Sequence, residues 1–207
     1  MNTKPDKLAP LVLLVEGHDE KSFFTKLLHY LNVPDDRFHI WNAGGVTNIA
    51  SKIDAIAQLN NLNPVVRRLG IIRDADADRA NAFKSVANAL KKYRLPYPHD
   101  VGVLSAPDAN GLCTAAFIMP GDAEGTMLES LCLKYIQDHR PERWTCIEQL
   151  LACAELTHNR KEKAKLQIAL AYEEKSPHHI ARACDQNLWG FDADVFADVR
   201  QFAVLLL

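Results

Sequence analysis

Three aspartates at alternate positions follow a short apolar run near the middle of the chain. The run covers residues 69–72, Arg73 follows it, and the acids are Asp74, Asp76 and Asp78. Its length and its β-branched residues predict a buried strand that ends at the first aspartate. Three carboxylates within five residues repel one another, so they are expected either to be solvated or to hold a cation. The pattern therefore predicts an acidic turn or a metal site at the end of a strand.

A second acid stands in the same relation to an earlier strand. The uninterrupted apolar run Leu11–Val15 is typical of a central parallel strand covered on both faces. Glu16 and Gly17 follow it directly, and Glu20 stands four positions after Glu16. Ligands of open α/β sheets bind outside the carboxyl ends of the strands. Glu16 and Asp74 are therefore expected at the same edge of one sheet.

The remaining patterns predict the elements that hold these acids. Apolar residues at helical spacing over 21–31, 49–59 and 79–93 alternate with strand-like runs, and further strands are predicted at 38–41, 101–104 and 114–119. Alternating strands and helices indicate an α/β fold with a mostly parallel sheet.

Three segments of different character are expected along the chain. Residues 1–10 are predicted to form a flexible tail and residues 11–120 the α/β domain. Residues 121–207 contain successive helical patterns and are predicted to form a helical C-terminal extension packed on that domain.

Composition is typical of a globular protein of the cytoplasm. The chain has 207 residues, of which 48% are hydrophobic, and its net charge is −2. This charge argues against non-specific coating of nucleic acid. The five cysteines include no CxxC pair, so reduced thiols in a cytoplasmic protein are expected. No signal peptide or membrane span is expected either.

Taken together, the acidic motifs resemble those of the Toprim superfamily. That superfamily includes topoisomerases, bacterial primases, recombination proteins and the overcoming-lysogenization-defect (OLD) nucleases. The similar segments are residues 13–17 (Leu-Leu-Val-Glu-Gly), 43–45 (Ala-Gly-Gly) and 71–76 (Ile-Ile-Arg-Asp-Ala-Asp), within a resemblance that covers roughly 11–120. The chain is most similar to small stand-alone prokaryotic Toprim-like proteins of unknown function, whose helical tail its residues 127–129, 163–171 and 189–192 resemble.

This resemblance implies a Rossmann-like sheet and phosphoryl transfer that depends on Mg²⁺ or Mn²⁺. It implies that Glu16 is the general acid/base or a metal ligand and that Asp74 and Asp76 hold the metal, with Asp78 and Glu20 as further candidate ligands. In topoisomerases the acidic motif continues Asp-Arg-Glu-Gly, and here Asp76 and Asp78 fit that register but Ala80 and Asn81 follow. The pair Asp76 and Asp78 is therefore the alternative to the favoured pair Asp74 and Asp76.

Glycines and flanking residues complete the candidate site. Gly17, Gly44 and Gly45 are predicted to let the backbone approach a phosphate. Glu129 is a further candidate ligand, although residues 126–129 also fit a capping box, which is the favoured interpretation. The basic run at 160–165 is expected to be a solvated helix face, with phosphate contact as its alternative.

The favoured function is that of an Mg²⁺-dependent nuclease acting on DNA or RNA. The alternative is a non-catalytic module of the same fold that binds a nucleotide or a protein partner. Candidate partners are nucleic acid, another protein or a second copy of the chain, and no membrane partner is expected. A phosphoaspartate receiver fits less well, because it needs an acid pair after the first strand and a Lys after a late strand, where Met119 and Pro120 stand. A haloacid-dehalogenase-type phosphatase fits less well, because its Asp-x-Asp follows the first strand, whereas here the pair follows the third.

Overall fold

A computed structural model describes residues 8–76, 78–121, 127–153 and 161–207. Within these ranges the chain forms four strands and eight α-helices. The strands are β1 (Leu11–Val15), β2 (Phe38–Asn42), β3 (Arg68–Asp74) and β4 (Cys113–Met119). The helices are α1 (His18–Tyr30), α2 (Ile49–Leu62), α3 (Arg79–Lys92), α4 (Leu128–His139), α5 (Pro141–Cys153), α6 (Lys161–Ala171), α7 (Ile180–Asp185) and α8 (Ala197–Leu205).

The strands form one parallel sheet in the order β2-β1-β3-β4. Leu11 pairs with Phe38 on one side and with Arg68 on the other, so β1 is a central strand with neighbours in register on both sides. The sheet is flanked by helices, which confirms the predicted α/β fold. Because all strands run the same way, the residues that follow β1 and those that end β3 lie at the same edge.

Alternate residues of the strands face two separate cores, as the pleat of a strand requires. Leu11, Leu13 and Val15 face a core that α1, α4, α7 and α8 complete. Val12 and Leu14 face the opposite core, which α2 and α3 cover. The helices after residue 127 therefore share one continuous hydrophobic core with the sheet and with α1.

Gly70 in β3 allows α8 to lie close against the sheet. A Cβ at this position would stand 2.6 Å from both Leu13 Cδ2 and Leu206 Cδ1, and 3.4 Å from Phe202 Cζ. Carbon atoms at 2.6 Å overlap strongly, since their optimal separation is about 3.5–4.0 Å. The missing side chain therefore fixes how closely the last helix approaches the strand that carries Asp74.

The prediction of a strand at residues 101–104 is wrong. This segment begins as a turn in which Gly102 has φ +71°, a conformation that favours glycine. Only isolated backbone bonds join it to β4, from Gly102 N–H to the Ala116 carbonyl and from Ser105 N–H to the Thr114 carbonyl, both at 2.8 Å. Its valines therefore flank the sheet without extending it.

Other predictions fall partly outside the described ranges. Residues 1–7 of the predicted tail lie outside them, and Ala9 is buried at the start of the described chain. No helix in the described ranges is long and apolar enough to cross a membrane.

Candidate functional site

Four elements bring carboxylates together at the carboxyl edge of the sheet. Glu16 follows β1, Glu20 lies in the first turn of α1, Asp74 ends β3, and Glu129 lies in the first turn of α4. The negative charges of Glu20, Glu129 and Glu16 all raise the pKa of Asp74. Such charge effects require the carboxylates to lie near one another. We call these four residues the acid cluster.

Asp74 lies at the centre of the acid cluster. Burial raises its pKa to about 8, and the neighbouring carboxylates contribute to the rise. Its Oδ1 is buried and has no hydrogen-bond partner among the described residues. A buried carboxylate oxygen without a partner is costly, so it must bind a proton, a cation or another donor. In the absence of a cation, the raised pKa favours the protonated form of this carboxyl group near neutral pH.

Glu16 contributes a second orphaned oxygen beside Asp74. Burial raises the pKa of Glu16, and the charge of Asp76 raises it further. Arg73, the Asp74 backbone N–H that donates to this carboxylate, and Lys163 oppose the rise. Glu16 Oε2 is nevertheless buried and has no hydrogen-bond partner in the described part of the chain. The two central acids thus each have one oxygen available to a ligand.

Glu20 folds back over Gly17 to reach the acid cluster. Burial raises the pKa of Glu20, its own backbone N–H opposes this by donating to the carboxylate, and the charge of Glu129 adds to the rise. A Cβ at Gly17 would stand 2.7 Å from Glu20 Oε2. Gly17 therefore makes room for a carboxylate within the protein, a role that the sequence analysis missed.

Asp76 lies at the rim of the acid cluster. It adopts φ +53°, in the left-handed region, where aspartate is tolerated better than most residues. Its Oδ2 lies 3.4 Å from Arg73 Nη2, and its side chain is 55% exposed. Its charge nevertheless raises the pKa values of Glu16 and Asp74. Asp76 is thus placed where it can reach a ligand held by the two buried acids.

Asp78 is engaged at the start of α3. It is the N-cap residue, and its carboxylate accepts hydrogen bonds from Asn81 N–H at 3.1 Å and from Asn81 Nδ2 at 2.7 Å. This arrangement satisfies one of the free N–H groups of the helix. Both carboxylate oxygens of Asp78 are therefore hydrogen-bonded to Asn81, whereas Asp74 and Asp76 interact with Glu16.

The glycine turn after β2 lies beside Glu16, but its backbone N–H groups already donate to acceptors within the protein. Gly44 and Gly45 have φ values of +74° and +121°. Gly44 N–H donates to Asn42 Oδ1 at 2.7 Å, and Gly45 N–H donates to the Glu16 carbonyl at 3.0 Å. The turn therefore positions Glu16, and a phosphate would have to compete for these N–H groups. Phosphate contact by these glycines stays a prediction.

Glu129 belongs to the acid cluster through its contact with α6. It is only 8% exposed, and its Oε1 lies 3.2 Å from Lys163 Nζ. The capping box predicted at 126–129 begins at Thr126, which lies outside the described residues. The N-cap of α4 is Met127, whose N–H donates to Ser130 Oγ at 3.4 Å. Lys163 could not be distinguished from its basic run by sequence, because only the docking of α6 brings it to the carboxylates.

The acid cluster matches a hard divalent cation in donor chemistry. Carboxylate oxygens are the ligands such ions prefer, and Mg²⁺ commonly takes only one or two carboxylates and keeps several waters. The orphaned oxygen of Asp74 and the half-exposed carboxylate of Asp76 at the rim meet this requirement. Nowhere in the described chain, however, are three Asp, Glu, His or Cys side chains already arranged to hold a metal. The fit therefore rests on two protein ligands, with water and phosphate oxygens completing the shell.

A cavity at the opposite edge of the sheet lacks this chemistry. It encloses about 740 Å³ and is lined in part by Arg37, Arg67 and Arg68. Arg67 Nη1 already donates to the carbonyls of Pro64 and Asn110, at 3.1 and 3.0 Å. We therefore place the candidate site at the acid cluster, where burial leaves reactive groups without partners.

Comparisons with known proteins assign a family without assigning an activity. No curated protein matches the chain, and no solved structure matches it. The family model described as "Protein of unknown function (DUF3226)" matches residues 10–206, which is nearly the whole chain and includes every member of the acid cluster. The chain therefore belongs to the DUF3226 family.

Proposed function

We propose that this protein is an Mg²⁺- or Mn²⁺-dependent phosphoryl-transfer enzyme of Toprim type, a nuclease acting on DNA or RNA. The observation that carries the proposal is the pair of buried carboxylate oxygens, on Glu16 and Asp74, that have no hydrogen-bond partner among the described residues. Their placement at the carboxyl ends of adjacent parallel strands is typical of ligand sites in α/β proteins.

Asp74 and Asp76 are the proposed metal ligands, and Glu20 lies close enough to support them. A divalent ion bound there would polarise a phosphate oxygen and make water a stronger nucleophile. Asp74 must lose its proton before it binds a cation, which its pKa of about 8 permits near neutral pH. Asp78 is left out of this ligand set because its carboxylate caps α3.

Glu16 is the proposed general acid/base. It would take a proton from an attacking water, or give one to the leaving oxygen as the phosphodiester P–O bond breaks. Burial raises its pKa, which brings it closer to the range that suits proton transfer near neutral pH. The Asp74 backbone N–H that donates to Glu16 holds the carboxylate in place.

The proposed setting is the cytoplasm. All five cysteines lie in the described ranges and are free thiols. Cys146 and Cys153 are exposed, and exposed free thiols persist in reducing compartments. Nucleic acid is the proposed partner, and contact with it would be local to the rim of the acid cluster because the net charge of the chain is −2.

Calorimetric titration with Mg²⁺ and Mn²⁺ tests the metal site directly. We expect binding by the wild-type protein and its loss in Asp74→Asn/Asp76→Asn. Plasmid, single-stranded DNA and RNA would then be screened for cleavage with the metal present. Glu16→Gln should abolish cleavage while leaving the fold intact by circular dichroism.

A non-catalytic module is the second candidate function. It is favoured by the lack, within the described chain, of three ligands already arranged for a metal. Metal or nucleotide binding without any cleavage would support this candidate. Absence of metal binding both alone and with a nucleotide present would refute the phosphoryl-transfer proposal.

A further inference from the structure

The acid cluster contains a cation supplied by a distant part of the chain. Lys163 lies in α6, and its Nζ is 3.2 Å from Glu129 Oε1. The charge of Glu129 raises the pKa of Lys163, burial opposes this rise, and the charges of Asp74 and Glu20 add to it. Because Lys163 also lowers the pKa of Glu16, the ammonium group interacts with all four carboxylates and not with Glu129 alone.

A second contact holds α6 in the position that this ion pair requires. Ser130 Oγ donates to Glu162 Oε2 at 2.6 Å. Two adjacent residues of α4 therefore bind two adjacent residues of α6, Glu129 to Lys163 and Ser130 to Glu162. Leu166, Ala169 and Leu170 of α6 are buried in the core. Docking of α6 is thus secured by packing, and the Lys163 side chain can move without loss of the helix.

The lysine lies at the water-exposed side of the acid cluster. Its side chain is 53% exposed, whereas that of Glu129 is 10% exposed. A divalent ion entering from solvent would therefore meet the ammonium group at the rim. Two cations at short range repel each other. Once a divalent ion neutralises the carboxylates beside Glu129, the ion pair with Lys163 also stabilises Glu129 less.

From these contacts we propose that Lys163 is the resident counter-ion of the acid cluster and that a divalent metal ion displaces its ammonium group from Glu129. This inference rests on the metal site proposed above. It makes metal binding and the Lys163–Glu129 ion pair mutually exclusive. The lysine then lowers the metal affinity and keeps the buried carboxylates compensated until metal is present.

Lys134 provides a matched control. It also forms an ion pair within the helical part of the chain, with Asp138 at 2.7 Å, and its side chain is 51% exposed. Neither Lys134 nor Asp138 is among the groups that shift the pKa values of Glu16, Glu20 and Asp74. Removing the charge of Lys134 therefore changes the overall charge of the protein as Lys163→Met does, but outside the cluster.

Calorimetry with Mg²⁺ and Mn²⁺ on the wild type, Lys163→Met, Lys163→Arg and Lys134→Met tests the inference. Lys163→Met should bind metal about 1.5- to fivefold more tightly, the range expected for removing a half-exposed ion pair. Lys163→Arg and Lys134→Met should bind like the wild type. Circular dichroism would confirm that each variant is folded.

Amine acylation of the wild type, read by mass spectrometry, gives a second readout. Lys163 should be labelled at least about threefold faster in Mn²⁺ than in EDTA, because the released amine loses its carboxylate partner. The labelling rate of Lys134 should not change.

The outcomes separate failure of the inference from failure of the proposed function. Metal binding by the wild type with equal or weaker binding by Lys163→Met, or with unchanged Lys163 labelling, overturns the inference and leaves the metal site intact. Binding by Lys163→Met alone supports the inference. If neither protein binds metal, the proposed metal site fails and the inference fails with it.

Discussion

Replacing Asp74 by asparagine is expected to stabilise the metal-free protein near pH 8. Burial and neighbouring negative charges raise the pKa of Asp74 from its ordinary value of 3.8 to about 8. Between these two pH values the folded state holds a proton that the unfolded chain has released. The free energy of unfolding therefore falls as the pH rises through this window. Asparagine is nearly isosteric with aspartate and carries no charge, so the variant escapes this loss.

The size of the effect follows from the same two pKa values. A pKa difference of one corresponds to ~1.4 kcal/mol. The rise from 3.8 to about 8 therefore means that the ionised Asp74 carboxylate lowers the free energy of unfolding by at most roughly 5–6 kcal/mol. Rearrangement of neighbouring groups and entry of water reduce this figure, and the new amide has hydrogen-bonding needs of its own. We therefore expect Asp74→Asn to gain about 1–3 kcal/mol at pH 8, with a smaller gain at pH 5.

Urea titrations in EDTA at pH 5, 6.5 and 8 would measure this gain. Asp36→Asn is the matched control, because Asp36 is an exposed aspartate at the opposite edge of the sheet. The control should track the wild type at all three pH values. A lower free energy of unfolding for Asp74→Asn at pH 8, or a difference from wild type that does not change with pH, would show that the Asp74 carboxylate is satisfied within the fold.

Three further substitutions test packing, the glycine beside Glu20 and the capping aspartate. Gly70→Ala places a Cβ 2.6 Å from Leu206 Cδ1 and should lower the free energy of unfolding by about 1–3 kcal/mol. In urea titrations, Gly70→Ala/Leu206→Ala should lose less stability than the sum of the two single variants. Gly17→Ala displaces only the flexible end of Glu20, so the melting temperature should stay within about 2 °C while calorimetry shows altered Mn²⁺ affinity. Asp78→Ala should lower the free energy of unfolding by about 0.5–2 kcal/mol through the lost helix cap and leave Mn²⁺ affinity unchanged. A loss of affinity would favour Asp76 and Asp78 as the pair that holds the metal.

The edge of the sheet that carries Glu16 and Asp74 could be predicted from sequence because the rule involved is local and topological. Apolar runs of strand length reveal where strands end, and parallel strands bring their carboxyl ends to one edge. The predicted fold class is confirmed by the all-parallel sheet. The relation between the two acids needed no knowledge of how the helices pack.

Glu129 and Lys163 show where sequence reasoning ended. They come from α4 and α6, whose docking depends on packing over many residues, and no spacing rule links positions 34 residues apart in the chain. The strand prediction at 101–104 was wrong for a different reason. Its valines have strand propensity, but the left-handed Gly102 turns the backbone away from continuous pairing with β4.

The close approach of α8 to β3 at Gly70 has a consequence for synthesis of the chain. The face of the sheet that carries Leu13 is covered partly by α8, which follows β4 by about 80 residues. At ribosomal rates of ~5–20 residues per second, the part of this face that α8 covers stays exposed for roughly 4–16 s after the sheet has emerged. Nascent chains should therefore expose an apolar surface to chaperones during that interval, and ribosome-bound intermediates stalled before α8 should be sensitive to protease.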